Sequence, residues 1–208
     1  VTKDRSSSPF TTAQQRKSRH QEKRDAVLLA AVQMFNERGF HQTSLDEVAA
    51  SLGVTKPTIY HYLGNKDQVL LECVTLGLEQ LLASGEAVRN GPGTGADRLR
   101  ACLVRYAEII MGDFGRCVIR TSEEELGEES RSQFRALKRR IDSAIRMLIQ
   151  QGIDDGSIAP VDAKMLAFTL TGSLNWTARW HVPDGSLTPQ QISQQMVDIL
   201  AKGFITQT

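Results

Sequence analysis

Apolar residues recur at every third or fourth position along nearly the whole chain, and no alternation of apolar and polar residues lasts long enough to build a sheet. This periodicity limits the chain to an all-α fold. Each amphipathic helix must bury its stripe against others, and 208 residues supply enough of them for a core in one or two domains. With 40% apolar and 24% charged residues, the composition excludes a disordered, fibrous or membrane-embedded class. No apolar run approaches the roughly 18 residues of a membrane span, and the polar, basic N-terminus lacks a secretory apolar core, so a cytoplasmic location is expected. Cys73, Cys102 and Cys117 form no CxxC pair and have no histidine at metal-ligand spacing. They are read as reduced, mostly buried thiols, with neither a disulfide framework nor a metal site, and no cofactor is expected.

Capping and breaking residues divide these stripes. The first helix is expected after Ser18, with Gln21 completing a capping box; it presents Val27, Leu28, Ala31, Val32 and Phe35 and stops at Gly39. Ser44 and Glu47 form a second box that opens a short helix through Val48, Ala49 and Leu52 to Gly53. A third helix starts at Thr55 and carries Ile59 and Tyr60. Three short helices with a glycine turn between the last two make a helix-turn-helix. Asn65 and Gln68 cap a long fourth helix that Asn90-Gly91-Pro92-Gly93 ends. Further helices are expected at about 96–111, near 123–126, at 128–155, at 161–181, and from Thr188-Pro189 to near Phe204. The implied division is a basic flexible arm at 1–17, a helix-turn-helix domain at 18–66, and a helical C-terminal domain at 67–208.

Charge is distributed to match. Residues 1–66 carry 10 Lys and Arg against 6 Asp and Glu, whereas residues 67–208 carry 15 against 18. Arg16, Lys17, Arg19, Lys23 and Arg24 cluster near the N-terminus, a density that suits a polyanion. In a helix-turn-helix the second helix enters the major groove by its N-terminal end, here Thr55-Lys56-Pro57-Thr58. Lys56 can donate to a guanine or a phosphate, and Thr58 can offer a hydroxyl or a methyl to a base edge. Pro57 sits in the first turn, where a missing N–H costs nothing. Tyr60, His61 and Tyr62 put polar-tipped aromatic rings beside the DNA backbone, although Tyr60 can also serve the core and His61 can be merely exposed. Thr43 and Ser44 stand at one helix N-terminus and Lys66 at another, where spare N–H groups favour phosphate. A lysine in a first turn is unfavourable unless an anion joins it.

The segments Thr43-Ser44-Leu45-Asp46-Glu47-Val48-Ala49, Leu52-Gly53-Val54-Thr55-Lys56-Pro57-Thr58-Ile59-Tyr60-His61-Tyr62-Leu63 and Asn65-Lys66 resemble the signature of the TetR family over about residues 22–75. The turn glycine, the aromatic after the recognition turn and the lysine opening the fourth helix fall together at the family's spacing. The resemblance implies a homodimeric bacterial regulator whose variable C-terminal domain binds a small molecule and dimerises through its last two long helices. It places phosphate contacts at Ser44, Tyr60 and Lys66, and base-reading positions at Lys56, Pro57 and Thr58. Leu63 stands where the family often has phenylalanine, a departure that concerns packing. Gly172-Ser173-Leu174-Asn175-Trp176, with Trp180 four residues on, resembles regulators of lipid and acyl-thioester catabolism.

The C-terminal region pairs no nucleophile with a base and has no Gly-rich phosphate loop, so no enzyme is expected. Glu123, Glu124, Glu125, Glu128 and Glu129 occur at helix starts, where acidic residues are favoured without any metal. Cys102, Tyr106, Ile110 and Phe114 recur every four residues, and Phe168, Asn175 and Trp176 lie on an otherwise apolar helix. Such stripes either pack as core or line an apolar cavity, with Asn175 and Arg105 or Arg120 orienting a ligand. The ligand-binding candidates are therefore Arg105, Tyr106, Phe168, Asn175 and Trp176. Residues 161–181 are apolar around most of their circumference, more than one bundle can cover. With Ile192, Met196, Ile199, Leu200 and Ile205 of the last helix, they are expected to form a four-helix homodimer interface. The expected function is a nucleoid-associated, ligand-responsive repressor, released from a palindromic double-stranded operator by a small apolar or acyl-type effector. The alternatives are a ligand-independent nucleoid protein, which requires a solidly packed C-terminal domain, and a helical-bundle enzyme.

Overall fold

The structure, a computed structural model, describes residues 13–204. Their regular structure is helical, with no strand. α1 (Ala13–Arg38) is followed by α2 (Leu45–Ser51), α3 (Lys56–Leu63) and α4 (Lys66–Arg89). α5 (Gly95–Met111), α6 (Asp113–Arg120), a 3-10 turn (Glu123–Glu125) and α7 (Glu128–Asp154) come next, and then α8 (Ala163–Asn175), α9 (Thr177–Trp180) and α10 (Pro189–Ala201).

The capping boxes at Ser44–Glu47, Asn65–Gln68 and Thr188–Gln191 form as the sequence requires, and Thr94–Asp97 adds another at the head of α5. Gly53 adopts φ +64° in the turn between α2 and α3, a left-handed conformation that only glycine enters without strain. Helix α1 departs from expectation. It begins at Ala13, so Ser18 lies inside it and its hydroxyl donates to Glu22 one turn on, while Gln21 donates to Asp25. Residues 13–17 of the expected arm are thus helical; residues 1–12 of that arm, and Ile205, lie outside the described residues.

Val27, Leu28, Ala31, Val32 and Phe35 of α1 close over Leu45, Val48, Ile59 and Leu63, forming a three-helix head. α4 runs on from it, burying Val69, Leu70 and Val74 near the head and Leu78, Leu81 and Leu82 further along. α5, α6 and α7 pack around α4, with Leu99, Leu103, Ile110, Phe134, Leu148 and Ile149 fully buried between them.

α6 has no counterpart in the sequence reading. Only eight residues long, it is shorter than a periodic stripe needs to declare itself, and close backbone approach holds it in place. A Cβ on Gly77 of α4 would stand 2.6 Å from the Phe114 carbonyl oxygen, so α6 crosses α4 where a glycine leaves room. The segment 161–181 also differs. It breaks at Trp176 into α8 and α9, and it buries one stripe, Ala167, Leu170 and Leu174, rather than several faces. Met165, Phe168 and Trp176 are half or more exposed.

Candidate DNA-binding face and effector pocket

The starts of α2, α3 and α4 lie close together. Asp46 in the first turn of α2 accepts from Lys56 Nζ of α3 at 2.9 Å, and Lys66 of α4 acts electrostatically on Glu47 of α2. Ser44 is exposed, and its hydroxyl donates to Glu47 while accepting the Glu47 N–H. The Ser44 N–H, donating to Glu47 Oε2 at 2.8 Å, and then the Ser44 hydroxyl hold the Glu47 carboxyl below the usual carboxylate range. Thr55 and Thr58 pair their hydroxyls at 3.0 Å, and Pro57 is exposed in the first turn of α3.

Tyr60 remains 45% exposed, so its ring is not a core element. The Lys56 ammonium stands 5.9 Å from that ring's centroid, and the bond to Asp46 raises its pKa further. His61 is exposed, and its ring meets His20 edge-on at 6.2 Å. Lys66 lies 4.3 Å from the Phe40 ring centroid and 3.5 Å from the His41 carbonyl oxygen, and partial burial lowers its pKa.

Thr43 corrects the expectation. Its hydroxyl is buried, donating to the Met34 and Gly39 carbonyls, so it ties the end of α1 to α2 and faces away from solvent. Sequence reading missed the supporting rings: Phe40 beneath Lys66, and His20, whose ring lies 4.6 Å from that of Tyr62. Nothing local marks them, because each meets its partner only after α1 has folded over the later helices.

The second feature is a cavity of about 160 Å³, open to solvent, between the helices of the C-terminal bundle. Leu78 and Leu81 of α4, Val118 and Ile119 of α6, and Ile141 and Ile145 of α7 give it apolar walls. Two polar groups converge there: the Tyr106 hydroxyl donates to Asn175 Oδ1 at 2.8 Å. Burial pushes the Tyr106 phenol well above its ordinary pKa, so it stays neutral. Phe168 and Asp142 also line the cavity, and Asp142 is paired with Arg146.

Tyr106, Phe168 and Asn175 are thus brought together, whereas the other two ligand candidates are not. Arg105 points outward beside Glu108, its side chain 67% exposed. Trp176 is 65% exposed and absent from the cavity wall, as the break between α8 and α9 turns it outward. Arg120, the alternative orienting group, reaches the other way and donates to the Asn36 carbonyl of α1. Among the expected dimer contacts, Ile192 is buried within its own chain, Met196 and Leu200 are half-buried, and Ile199 is 67% exposed. A larger open groove of about 440 Å³ lies between α4 and α7, but it gathers no pair of buried polar groups. The three cysteines are buried and free, and burial pushes Cys102 and Cys117 up to about 11.

Comparison with known proteins decides the family. Residues 27–73 match the model of bacterial regulatory proteins of the tetR family, and residues 92–204, more than half of the chain, match the tetracyclin repressor-like C-terminal domain. The chain belongs to the TetR family. The HTH-type transcriptional repressor KstR2 of Mycolicibacterium smegmatis is 26% identical over 89% of this chain and 92% of its own length. Among solved TetR structures, PfmR of Thermus thermophilus is 26% identical with a TM-score of 0.77, covering 85% of this chain and 97% of its own. AibR, solved in complex with isovaleryl coenzyme A and operator DNA, is 28% identical with a TM-score of 0.75 over the same shares. As a TetR protein the chain is a DNA-binding, ligand-responsive transcriptional regulator, not an enzyme. Among the described residues, no helix is long and apolar enough to cross a membrane, and no three His, Cys, Asp or Glu gather as a metal site.

Proposed function

We propose that the chain is a dimeric repressor that leaves a palindromic operator when a short acyl group enters the C-terminal cavity. Residues 18–66 form the DNA-binding unit and residues 67–208 the effector and dimer unit. Lys56, Pro57 and Thr58 face base edges, while Ser44, Tyr60, His61 and Lys66 meet phosphates. Tyr106, Asn175 and Phe168 receive the effector, and exposed Trp176, Ile199 and Phe168 contribute to the dimer.

The observation that carries this reading is the position of α6. Val118 and Ile119 wall the cavity, and the same helix is bonded to α1, through Arg120 on the Asn36 carbonyl and Asn36 Nδ2 on the Asp113 carbonyl at 2.8 Å. A ligand that displaces α6 therefore moves the head that carries the reading helix. Coupling of this kind is typically worth about 1–3 kcal/mol. Apolar cavities of about 150 Å³ accept a benzene-sized ligand, so this one fits a chain of roughly five carbons. The open cavity disfavours a ligand-independent nucleoid protein. The acyl class is supported by likeness to AibR, whose structure holds isovaleryl coenzyme A.

The test is selection of bound duplex from a random pool, followed by addition of short-chain acyl thioesters. A palindromic site with half-sites about one helical turn or a multiple apart, released by such a thioester, is the expected result. An asymmetric single half-site, or a site that no acyl thioester releases, overturns the reading.

Single substitutions sort the DNA contacts. Lys66→Ala lowers affinity about equally on all sequences and reduces the salt slope by about one. Lys56→Ala costs about 1–3 kcal/mol on the selected site and less on random DNA. Equal losses on both would make Lys56 a positioning residue. In the cavity, Asn175→Leu breaks the bond with Tyr106, and the concentration of thioester needed for release shifts while ligand-free operator affinity stays unchanged. Fluorescence anisotropy on labelled operator measures both quantities, and a change in ligand-free affinity alone would remove Asn175 from the effector site.

A further inference from the structure

Both sides of α6 are in use. Val118 and Ile119 face the effector cavity, while Cys117, Arg120 and Thr121 line a second hollow of about 330 Å³ on the side toward α1. Asn36 and Phe40 form the far wall, and Arg179 enters from α9. This hollow shares no lining residue with the effector cavity.

Arg120 and Arg179, with Arg38, thus line one space, and Arg116 stands one turn before Arg120 on α6. Burial first, and then the charges of Arg116 and Arg179, disfavour the charged form of Arg120. Among the described residues none of Arg116, Arg120 and Arg179 has a carboxylate within ion-pair distance. Arg120 donates to the Asn36 carbonyl, and Arg116 to the Met111 and His181 carbonyls and to the His181 ring. The Nε atoms of Arg116 and Arg120, Asn36 Oδ1 and His181 Nε2 are buried without a hydrogen-bond partner.

Two carboxylates also line the hollow, but neither is within ion-pair distance of Arg120 or Arg179: mostly buried Glu125 accepts from the Ser122 N–H and lies 4.0 Å from His41, and Glu37 is exposed; Arg38, a third arginine in the lining, is paired with Glu47. Like charges on Arg120 and Arg179, drawn to one partly desolvated space with Arg116 behind them, are unfavourable until an anion joins them. A guanidinium fork matches the paired oxygens of a phosphate or carboxylate, and two forks facing one space match it twice.

We propose that this hollow binds a compact oxyanion, a phosphate or carboxylate group, held between Arg120 and Arg179 where α1, α6 and α9 meet. The bound anion bridges α9 to the bond between Arg120 and Asn36, fixes α6 against α1, and thereby tunes operator affinity from a site separate from the effector cavity. The inference does not depend on the identity of the effector.

Isothermal titration of the full chain with inorganic phosphate and with pyrophosphate, at constant ionic strength set by chloride, tests it. Saturable binding of one anion per chain is expected, weakened about tenfold by Arg179→Gln, in line with losing one charge-assisted pair of hydrogen bonds. Arg179 is exposed, so this variant keeps its fold, which an unchanged melting curve verifies. Absence of saturable binding, or equal binding by wild type and Arg179→Gln, overturns the proposal. A titration on the operator complex separates the sources. Retained phosphate binding there supports a free oxyanion ligand, whereas its complete loss assigns the hollow to a DNA phosphate and overturns a small-molecule site.

Discussion

Replacing Trp176 and Ile199 together with Glu yields monomers and lowers operator affinity by about 10²–10⁴-fold, the advantage that joining two half-site readers confers. The two side chains are 65% and 67% exposed, and Met165 and Phe168 extend the apolar surface along α8. Large exposed apolar side chains of this kind mark a candidate interaction site, and obligate interfaces are large and mainly apolar. Two buried carboxylates facing their symmetry copies oppose association. Neither residue supports the fold of its own chain, so helicity and melting of the monomer remain close to those of the parent at low concentration. Sedimentation velocity and anisotropy on the full operator measure the two effects. A dimer that persists with both changes moves the interface elsewhere, and α7, where Met147 is 44% exposed, is then the next surface to change.

Gly77→Val strikes the fold itself. A Cβ at that position would sit 2.6 Å from the Phe114 carbonyl oxygen and 2.8 Å from Val118 Cγ2, so α6 must withdraw from α4 to admit it. Overpacking of a rigid contact costs about 1–3 kcal/mol, and backbone on one side of the clash puts this change at the upper end. For a chain of this length that corresponds to a fall in Tm of roughly 5–10 °C. Because α6 also walls the cavity and bonds α1, the response of operator binding to effector changes as well. Gly77→Ala meets the same carbonyl with fewer atoms and is milder. Thermal melting with and without effector reads both consequences, and an unchanged Tm for Gly77→Val would show that α4 and α6 do not need their close approach.

Much of this architecture was written locally. Ser44 with Glu47, Asn65 with Gln68, and Thr188 with Gln191 each satisfy helix-end N–H groups from within four residues, so these starts could be read without knowing any neighbour. The α1 start departs from expectation for the same reason. Ser18 has the right residue three positions on, but a helix already running from Ala13 leaves no free N–H for it to cap.

The placement of the proposed DNA contacts is legible for a related reason. Lys56, Pro57, Thr58 and Lys66 occupy first turns whose location the caps fix, and first-turn residues project from helix ends whatever the rest of the fold does. Thr43 sits one residue before such a start, yet its hydroxyl turns inward to carbonyls at the end of α1. That choice depends on how the chain crosses back, and sequence spacing carries no trace of it.

The cavity and the exposed stripe belong wholly to the tertiary structure. Tyr106, Phe168 and Trp176 look alike on a helical wheel, as large rings on apolar helices. Packing buries the first, leaves the second at the edge of a cavity and turns the third into solvent. The sequence by itself determined which residues are apolar, where helices begin, and which polar groups stand at their ends, because those properties rest on contacts within a few residues. Which apolar side chain is covered, by which helix, and where a void is left between them was decided only when α4, α5, α6, α7 and α8 came together, because close packing is settled by the shapes of all its neighbours at once.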